Sequence, residues 1–560
     1  MQRQLIECVP NISEGCDLEK INLIAQSVTQ IEGIKLLDID PGKATNRTVI
    51  TFVGEPQQVI DAAFLLIKKA AELIDMSKHH GAHPRFGATD VCPLVPISGI
   101  SLDQTAEYAK KLGKRVGDEL GIPVYLYENA AQEDKRKNLA SCRAGEYEGL
   151  KEKIANPAWI PDFGPSSYNE TVRKSGAIAI SARNFLIAYN VNLNTTSTRR
   201  ANAIAFDIRE AGRIKTDAFG KNSLDDHGQP LRIPGKLKAV KGIGWYIEEY
   251  GIAQISYNLT NIGITPMHLA FDESCKAAQE RGLRVTGSEL IGLIPLKALL
   301  DAADFYLIKQ ARSLGICESE KIKIAVKSLG LADLKPFNPN EKIIEYLLKD
   351  SNKKLINMSL SAFADETASE SMAPGGGSIA AYVGTLGISL GTMVANLSAH
   401  KAGWDNRWKE FSDWAEKGQT YKHTLLALVD EDTQAFNQII EAFRMPKTTS
   451  KEKSLRSQAI QEATKYATEV PLKVMKTACE SMEVMKAMVK IGLQNSLSDA
   501  GVGALCAKAA VTGAYFNVRI NAKDLKNRQL ADALLAKAEA LYQQTLIIEN
   551  EIISDVNSKI

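Results

Sequence analysis

The chain has 560 residues, of which 45% are hydrophobic and 24% charged, and its formal net charge is +2 at neutral pH. That length exceeds what one hydrophobic core organises, so two or three domains are expected. The near-balanced charge gives no electrostatic case for nucleic acid or an anionic membrane and leaves a small polar or anionic metabolite as the expected partner.

Up to about residue 330 short β-type runs alternate with helical ones. KLLDID (35–40), TVITFVG (48–54), VYLYE (124–128), FLIAYNVNL (185–193), GIGWYIEE (242–249) and AQISYNL (253–259) read as strands. Between them Val59 to Ile74 places Ile60, Phe64, Ile67, Ala71 and Ile74 at helical spacing, and Ser197 to Ala211 and Met267 to Arg281 look similar. The pattern predicts an α/β or α+β region in two halves, 1–180 and 181–330, joined near the loop-like stretch IPDFGPSSYNETVRKSG (160–176). Residues 331–356, which include LKPFNPNE, read as a linker. From 357 to 560 no alternating strand follows, and the pattern predicts an all-α helical bundle with helices near 359–370, 378–399, 406–445, 451–490 and 499–556.

Ser371 to His400 contains no Asp, Glu, Lys or Arg. Its Gly, Ala, Ser and Thr content and the lack of basic residues on its N-terminal side favour a buried bundle helix over a membrane span. Gly384, Gly387 and Gly391 would let neighbouring helices approach closely. The eight cysteines form no CxxC pair, which argues against a zinc ribbon or a disulfide framework and suits a reducing, cytoplasmic setting. The segment MQRQLIECVP lacks a basic stretch followed by an apolar core, so no signal peptide is expected.

Four clusters could carry chemistry. HHGAHPRFGATDVCPLVP holds His79, His80 and His83, with Gly81 and Pro84 expected to stop the preceding helix. The spacing is no recognisable metal pattern, and no metal is expected. His79 and His80 suit a helix C-terminus, where imidazolium meets the dipole, while His83 is free to face a pocket and exchange protons near neutral pH. In LLDIDPGKATNRTV, Asp38 and Asp40 share one face of a strand, where a carboxylate could orient a histidine; the plainer reading is an Asp-Pro-Gly turn. On LLALVDEDTQAFNQIIEAF a helical projection puts Leu425, Leu428, Val429, Phe436, Ile439 and Phe443 on one stripe with Asp432 in its middle. A carboxylate there has a raised pKa unless hydrogen bonds offset burial, as at active sites, although a structural or interface role fits equally. APGGGS (373–378) opens a helix and reads first as a flexible turn, with anion binding by its free N–H groups as the alternative. The basic run RIPGKLKAVKG (232–242) reads as a solvated edge.

These segments together resemble the bifunctional formimidoyltransferase-cyclodeaminase family over nearly the whole chain. ECVPNISEG (7–15), LLDID with TNRTV, HPRFGATDVCP (83–93), RAGEYE (143–148), PDFGPSSY (161–168), KGIGWY (241–246) and GLIPLKALLDAADFY (292–306) look like its transferase segments. APGGGS, VDEDTQAF (429–436), VPLKV (470–474) and GAYFNV (513–518) look like its cyclodeaminase segments. The resemblance implies a transferase region of two α/β subdomains followed by an all-helical cyclodeaminase. It maps the transferase histidine onto His83, its assisting carboxylate onto Asp40 and the cyclodeaminase aspartate onto Asp432, the residue that the helical stripe singled out independently. It also maps a folate-binding loop onto the segment with Gly164, Pro165, Ser166, Ser167, Tyr168 and Gly176, where YNETVRKSG stands in place of a shorter vertebrate run.

The implied function is formimino transfer from N-formimino-L-glutamate to tetrahydrofolate, then closure to 5,10-methenyltetrahydrofolate with loss of ammonia, as in histidine breakdown. Tetrahydrofolate, polyglutamylated and passed between the two sites, is the only carrier implied, without metal or nucleotide. One imidazole can take the proton from the attacking amine and return it to the leaving nitrogen, with Asp40 supporting the imidazolium. Arg85 is placed by its chemistry as a clamp for a substrate carboxylate. The resemblance further implies a homo-oligomer, with a ring-like octamer as the expected form. Two rivals stay open on sequence: a transferase that prefers formyl groups, and a folate-binding scaffold without catalysis.

Overall fold

The computed structural model describes residues 4–560 except 44–45, 82–83, 218–220, 226–227 and 349–354. Contacts divide the chain into two units, Met1–Ala302 with Val326–Lys349 and Ala303–Ala325 with Asp350–Ile560.

Thirteen strands are described in the first unit: β1 Leu5–Cys8, β2 Asn11–Ile12, β3 Lys35–Gly42, β4 Arg47–Gly54, β5 Thr89–Ser98, β6 Val124–Glu128, β7 Ile178–Ala182, β8 Ile187–Leu193, β9 Arg213–Ile214, β10 Arg232–Ile233, β11 Val240–Ile247, β12 Ile252–Leu259 and β13 Val285–Ile291. β1 and β2 lie between β4 and β5 in a seven-stranded sheet, with β3 outside β4. Its β1–β5 part is antiparallel, and β5, β7 and β6 run parallel. Side chains alternate across a strand. One face therefore turns Ile6, Cys8, Ile50, Phe52, Cys92, Leu94 and Ile180 onto the helices Leu18–Gln26, Pro56–Leu73 and Leu102–Leu120, forming the core of this half. The other face is half covered by a smaller cluster with Phe86, Tyr125, Tyr127, Leu150 and Val172 and is otherwise open.

β11, β12, β8 and β13 form a four-stranded antiparallel sheet in that order, backed by the helices Thr198–Ile208 and Met267–Gln279. Each predicted strand is present within about two residues of its expected ends. The chief omission is β5. TDVCPLVPIS has no alternation, because seven of its residues are buried on either face, and its two prolines read as loop signals. Within 331–348, Leu331, Ile343 and Ile344 are buried, and the Ile344 N–H donates to the Ile294 carbonyl.

The second unit is a bundle built mainly from the helices Gly376–Ala399, Trp408–Arg444, Ser450–Ile491, Leu497–Ala522 and Arg528–Asn557. The stretch 499–556, expected as one helix, is two, broken at 523–527 where Asn527 caps the second through the Leu530 N–H. The uncharged helix Gly376–Ala399 is long and apolar enough to cross a membrane by composition, yet it packs inside the bundle. Its glycines explain how. A Cβ on Gly387 would lie 2.7 Å from the Gly503 carbonyl oxygen, and one on Gly503 would lie 2.8 Å from that of Gly387, so the two helices touch backbone to backbone.

Candidate functional site

In the first unit the open face of the seven-stranded sheet and the strand ends of the four-stranded sheet enclose a cleft of about 970 Å³. Alternation decides what lines it. Glu7, Val9 and Asn11 come from the β1–β2 strip, Asp38 and Asp40 from β3, Arg47, Val49 and Thr51 from β4, and Val91 and Pro93 from β5. Arg183, Lys241 and Asn258 are among the other residues of the wall. β3 runs on through Pro41 and Gly42, paired with Thr48 and Arg47, so Asp40-Pro41-Gly42 is strand and not the turn its residues suggest; Asp40, opposite Val49, lines the cleft. Burial, followed by the neighbouring Asp40 charge, raises the Asp38 pKa above the usual carboxylate range.

His83 lies outside the described residues, but the loop around it is fastened on both sides. Upstream, Asn46 donates from Nδ2 to the His80 carbonyl (2.8 Å), and His79 Nε2 meets the Asn46 carbonyl at 3.0 Å. The hairpin that carries Asp40 is thus tied to the stretch that leads into His83. Downstream, the Phe86 N–H donates to Asp90, and Asp90, fully buried, also accepts from Arg143 at 2.6 Å.

His79 does stand at a helix C-terminus, as the C-cap of the short 3₁₀ helix Met76–Lys78, but not as an imidazolium. Its backbone N–H donates to the Met76 carbonyl, and the buried ring accepts from Arg85 Nε at 3.3 Å on Nδ1, while desolvation lowers its pKa. It is a neutral bridge between Asn46 and Arg85. Arg85 itself is buried, with its guanidinium gripped by Glu148 (2.9 and 2.7 Å) and Glu146 (3.3 Å). Its fork is filled by the chain's own carboxylates, and it lines a shallow hollow with these glutamates.

Gly164, Pro165, Ser166, Ser167, Tyr168 and Gly176 are not part of the cleft wall. Gly164 takes φ +85°, with a Cβ position 2.3 Å from the Ile122 carbonyl oxygen, which only glycine tolerates. Ser166 and Ser167 are exposed, and the Tyr168 hydroxyl lies 3.3 Å from that of Tyr147. Gly176 is brought to the histidine loop: it bridges Gly87, and the Ala177 N–H donates to the Phe86 carbonyl at 2.8 Å. Glu7, Arg47, Arg143 and Arg183 escaped the sequence reading. The polar residue inside the apolar run LIECV was the available signal for Glu7.

In the second unit Asp432 and APGGGS meet. Asp432 lies on the helix Trp408–Arg444 against the first turn of Gly376–Ala399. Ser378 Oγ is 3.1 Å from Asp432 Oδ2, 2.9 Å from the Val429 carbonyl and 3.2 Å from Thr433 Oγ1. The hydroxyl has one hydrogen, so when it serves Val429 its lone pair can accept a proton-bearing Asp432. Burial raises the Asp432 pKa, and hydrogen bonds from Ser378 partly offset this. The motif read as a flexible turn is therefore a tight seat. A Cβ on Gly377 would lie 2.2 Å from Asp432 Oδ1. The apolar stripe divides: Leu425, Leu428 and Val429 are buried, whereas Phe436 and Phe443 are 38% and 53% exposed and leave solvent-facing apolar surface beyond Asp432. We expect Gly377→Ala to keep the helix, since alanine is the better helix former. It should displace Asp432 and cut the chemistry of this site at least about tenfold, as a steady-state assay of that reaction alone would show.

Comparison with known proteins matches the chain in three successive stretches. Family models described as "Formiminotransferase domain, N-terminal subdomain", "Formiminotransferase domain" and "Formiminotransferase-cyclodeaminase" match residues 5–183, 188–349 and 359–540. The rat formimidoyltransferase-cyclodeaminase is 43% identical over 97% of this chain and 96% of its own length. A glutamate formimidoyltransferase of Thermoplasma acidophilum is 43% identical over 54% of this chain and 92% of its own. A methenyltetrahydrofolate cyclohydrolase of Methylorubrum extorquens is 34% identical over 36% of this chain and 98% of its own.

Proposed function

The chain belongs to the formimidoyltransferase-cyclodeaminase family, and on that premise we propose that it moves a formimino group from N-formimino-L-glutamate to tetrahydrofolate and then closes the product to 5,10-methenyltetrahydrofolate. The observation that carries the reading is the pairing of full-length similarity with Asp432 seated on Gly377 and Ser378, a buried acid suited to the second step.

In the first step N5 of tetrahydrofolate attacks the formimino carbon. His83 takes the proton from N5 and delivers it to the glutamate nitrogen as the carbon–nitrogen bond breaks. Asp40 stabilises the imidazolium in between. Arg183 and Lys241 line the same cleft and supply positive charge for the donor's carboxylates. In the second step N10 attacks the same carbon, and Asp432, kept partly protonated by its setting, hands its proton to the departing ammonia. Tetrahydrofolate is substrate and carrier, and the segment from Gly164 to Gly176 is the folate-binding loop that the resemblance implies. Purified protein given both substrates should release glutamate and develop the methenyl absorbance band; folate binding without either signal would favour the scaffold reading.

We assign the enzyme to the cytoplasm, to histidine breakdown and to a homo-oligomer, an octamer by the resemblance. The bundle supports self-association. The helices Gly376–Ala399 and Leu497–Ala522 lie side by side, and their outward residues Leu386, Met393 and Leu397, with Val502, Leu505, Phe516 and Ile520, are each 38–61% exposed. At 1.5 Å rise per residue and 8–10 Å between axes, this face measures roughly 36 by 20 Å, close to the ~800 Å² per partner of a stable interface. Leu386→Glu combined with Leu505→Glu should reduce the mass in analytical ultracentrifugation while helical circular dichroism is unchanged; an unchanged mass would remove this face from the assembly.

A further inference from the structure

One buried carboxylate in the cleft has no part in the mechanism above. Glu7 is 3% exposed, and its side chain lines the cleft. Across the sheet it is opposed by Val53 on β4 and Val95 on β5, both fully buried. Among the described residues no donor hydrogen-bonds its carboxylate, and the little of the residue that is exposed faces the cleft.

A carboxylate so framed is costly to ionise and gains most from a ligand that brings its own positive charge and paired donors. The formimino group is such a ligand. It is an amidine, and its protonated form is a planar cation with an N–H on each nitrogen, arranged like one side of a guanidinium fork. A formyl group has the same size but offers one N–H and one carbonyl oxygen, which a carboxylate repels. Asp40 is exposed on β3 and Asp38 only half buried, so neither discriminates as strongly as a desolvated group.

We propose that Glu7 receives the amidinium of the formimino donor through two parallel hydrogen bonds and so selects formimino over formyl groups. This rests on reading the cleft as the transferase site. The ion pair would hold the formimino carbon in its cationic, electrophilic form while the folate amine approaches. Burial pushes the Glu7 pKa up to about 7, with Arg183 opposing and Glu345 reinforcing the shift. The other ionisable groups on the cleft wall are Asp38, Asp40, Arg47, Tyr127, Glu128, Arg143, Lys137 and Lys241. Binding needs ionised Glu7. Donor affinity should therefore fall as pH drops below about 7 and level off above it.

The test compares wild type with the isosteric Glu7→Gln, using N-formimino-L-glutamate as substrate and N-formyl-L-glutamate as competitive inhibitor. We expect kcat/KM for the formimino donor to fall at least ~30-fold, the magnitude of an orphaned buried charge pair. The inhibition constant of the formyl compound should stay within threefold, and the loss of affinity below pH 7 should disappear. Glu7→Asp, which keeps the charge, should retain part of the discrimination. Equal weakening of both compounds, or a weakened tetrahydrofolate Kd, would overturn the assignment and place Glu7 against the folate instead. An unchanged Glu7→Gln, with wild type active, would overturn it outright, whereas a wild type inert toward the formimino donor would sink the transferase reading itself.

Discussion

Asp432→Asn should stop ring closure and leave formimino transfer intact, so that 5-formiminotetrahydrofolate accumulates in place of the methenyl product. Asparagine matches aspartate in shape and can keep the Ser378 contact, so the bundle should remain folded. What it lacks is the proton for a poor leaving group. Losing a general acid costs on the order of 10² to 10⁴ in rate. The pH dependence gives a second sign. Burial raises the Asp432 pKa, so its acid form survives further toward neutrality than an ordinary carboxyl. Wild-type closure should decline as pH rises through that pKa, and the residual rate of Asp432→Asn should not follow that decline. A rapid-quench assay on supplied 5-formiminotetrahydrofolate reads both.

The complementary change is His83→Ala, for which transfer should fall by a similar ~10² to 10⁴ while closure of supplied intermediate stays within about twofold. The loop's anchors lie on His79, Asn46, Arg85 and Asp90 and do not depend on the imidazole that is removed. Glutamate release measures the loss. If either variant abolished both reactions in a folded protein, the assignment of two independent sites would be wrong.

The two sites differed in how readily the sequence disclosed them. Asp432 was legible because a long helix has one strong period, and a carboxylate in an apolar stripe stands out against it. Its partners were not. Gly377 and Ser378 lie more than fifty residues away, and nothing local tells a turn from a seat for a carboxylate. The two-halves α/β character followed from alternation in β3, β4, β8, β11 and β12. β5 was hidden because a strand buried on both faces has no alternation, and Pro93 and Pro96 imitate loop punctuation. Arg85 shows the limit of reading chemistry from residue type, since its fork is spent on Glu146 and Glu148, whose proximity only the fold creates. Glu7 is hidden for the same reason: its isolation from donors is a property of the sheet, not of LIECV.

The central claim is that one formimino group passes through both sites of this chain. Its most direct test is a single-turnover reaction of enzyme, tetrahydrofolate and N-formimino-L-glutamate labelled with ¹⁵N on the terminal formimino nitrogen. All the label should appear as ammonia, in step with the methenyl band and one for one with it, and none in glutamate. Methenyl product without labelled ammonia, or labelled nitrogen that stays on the folate, would contradict the account.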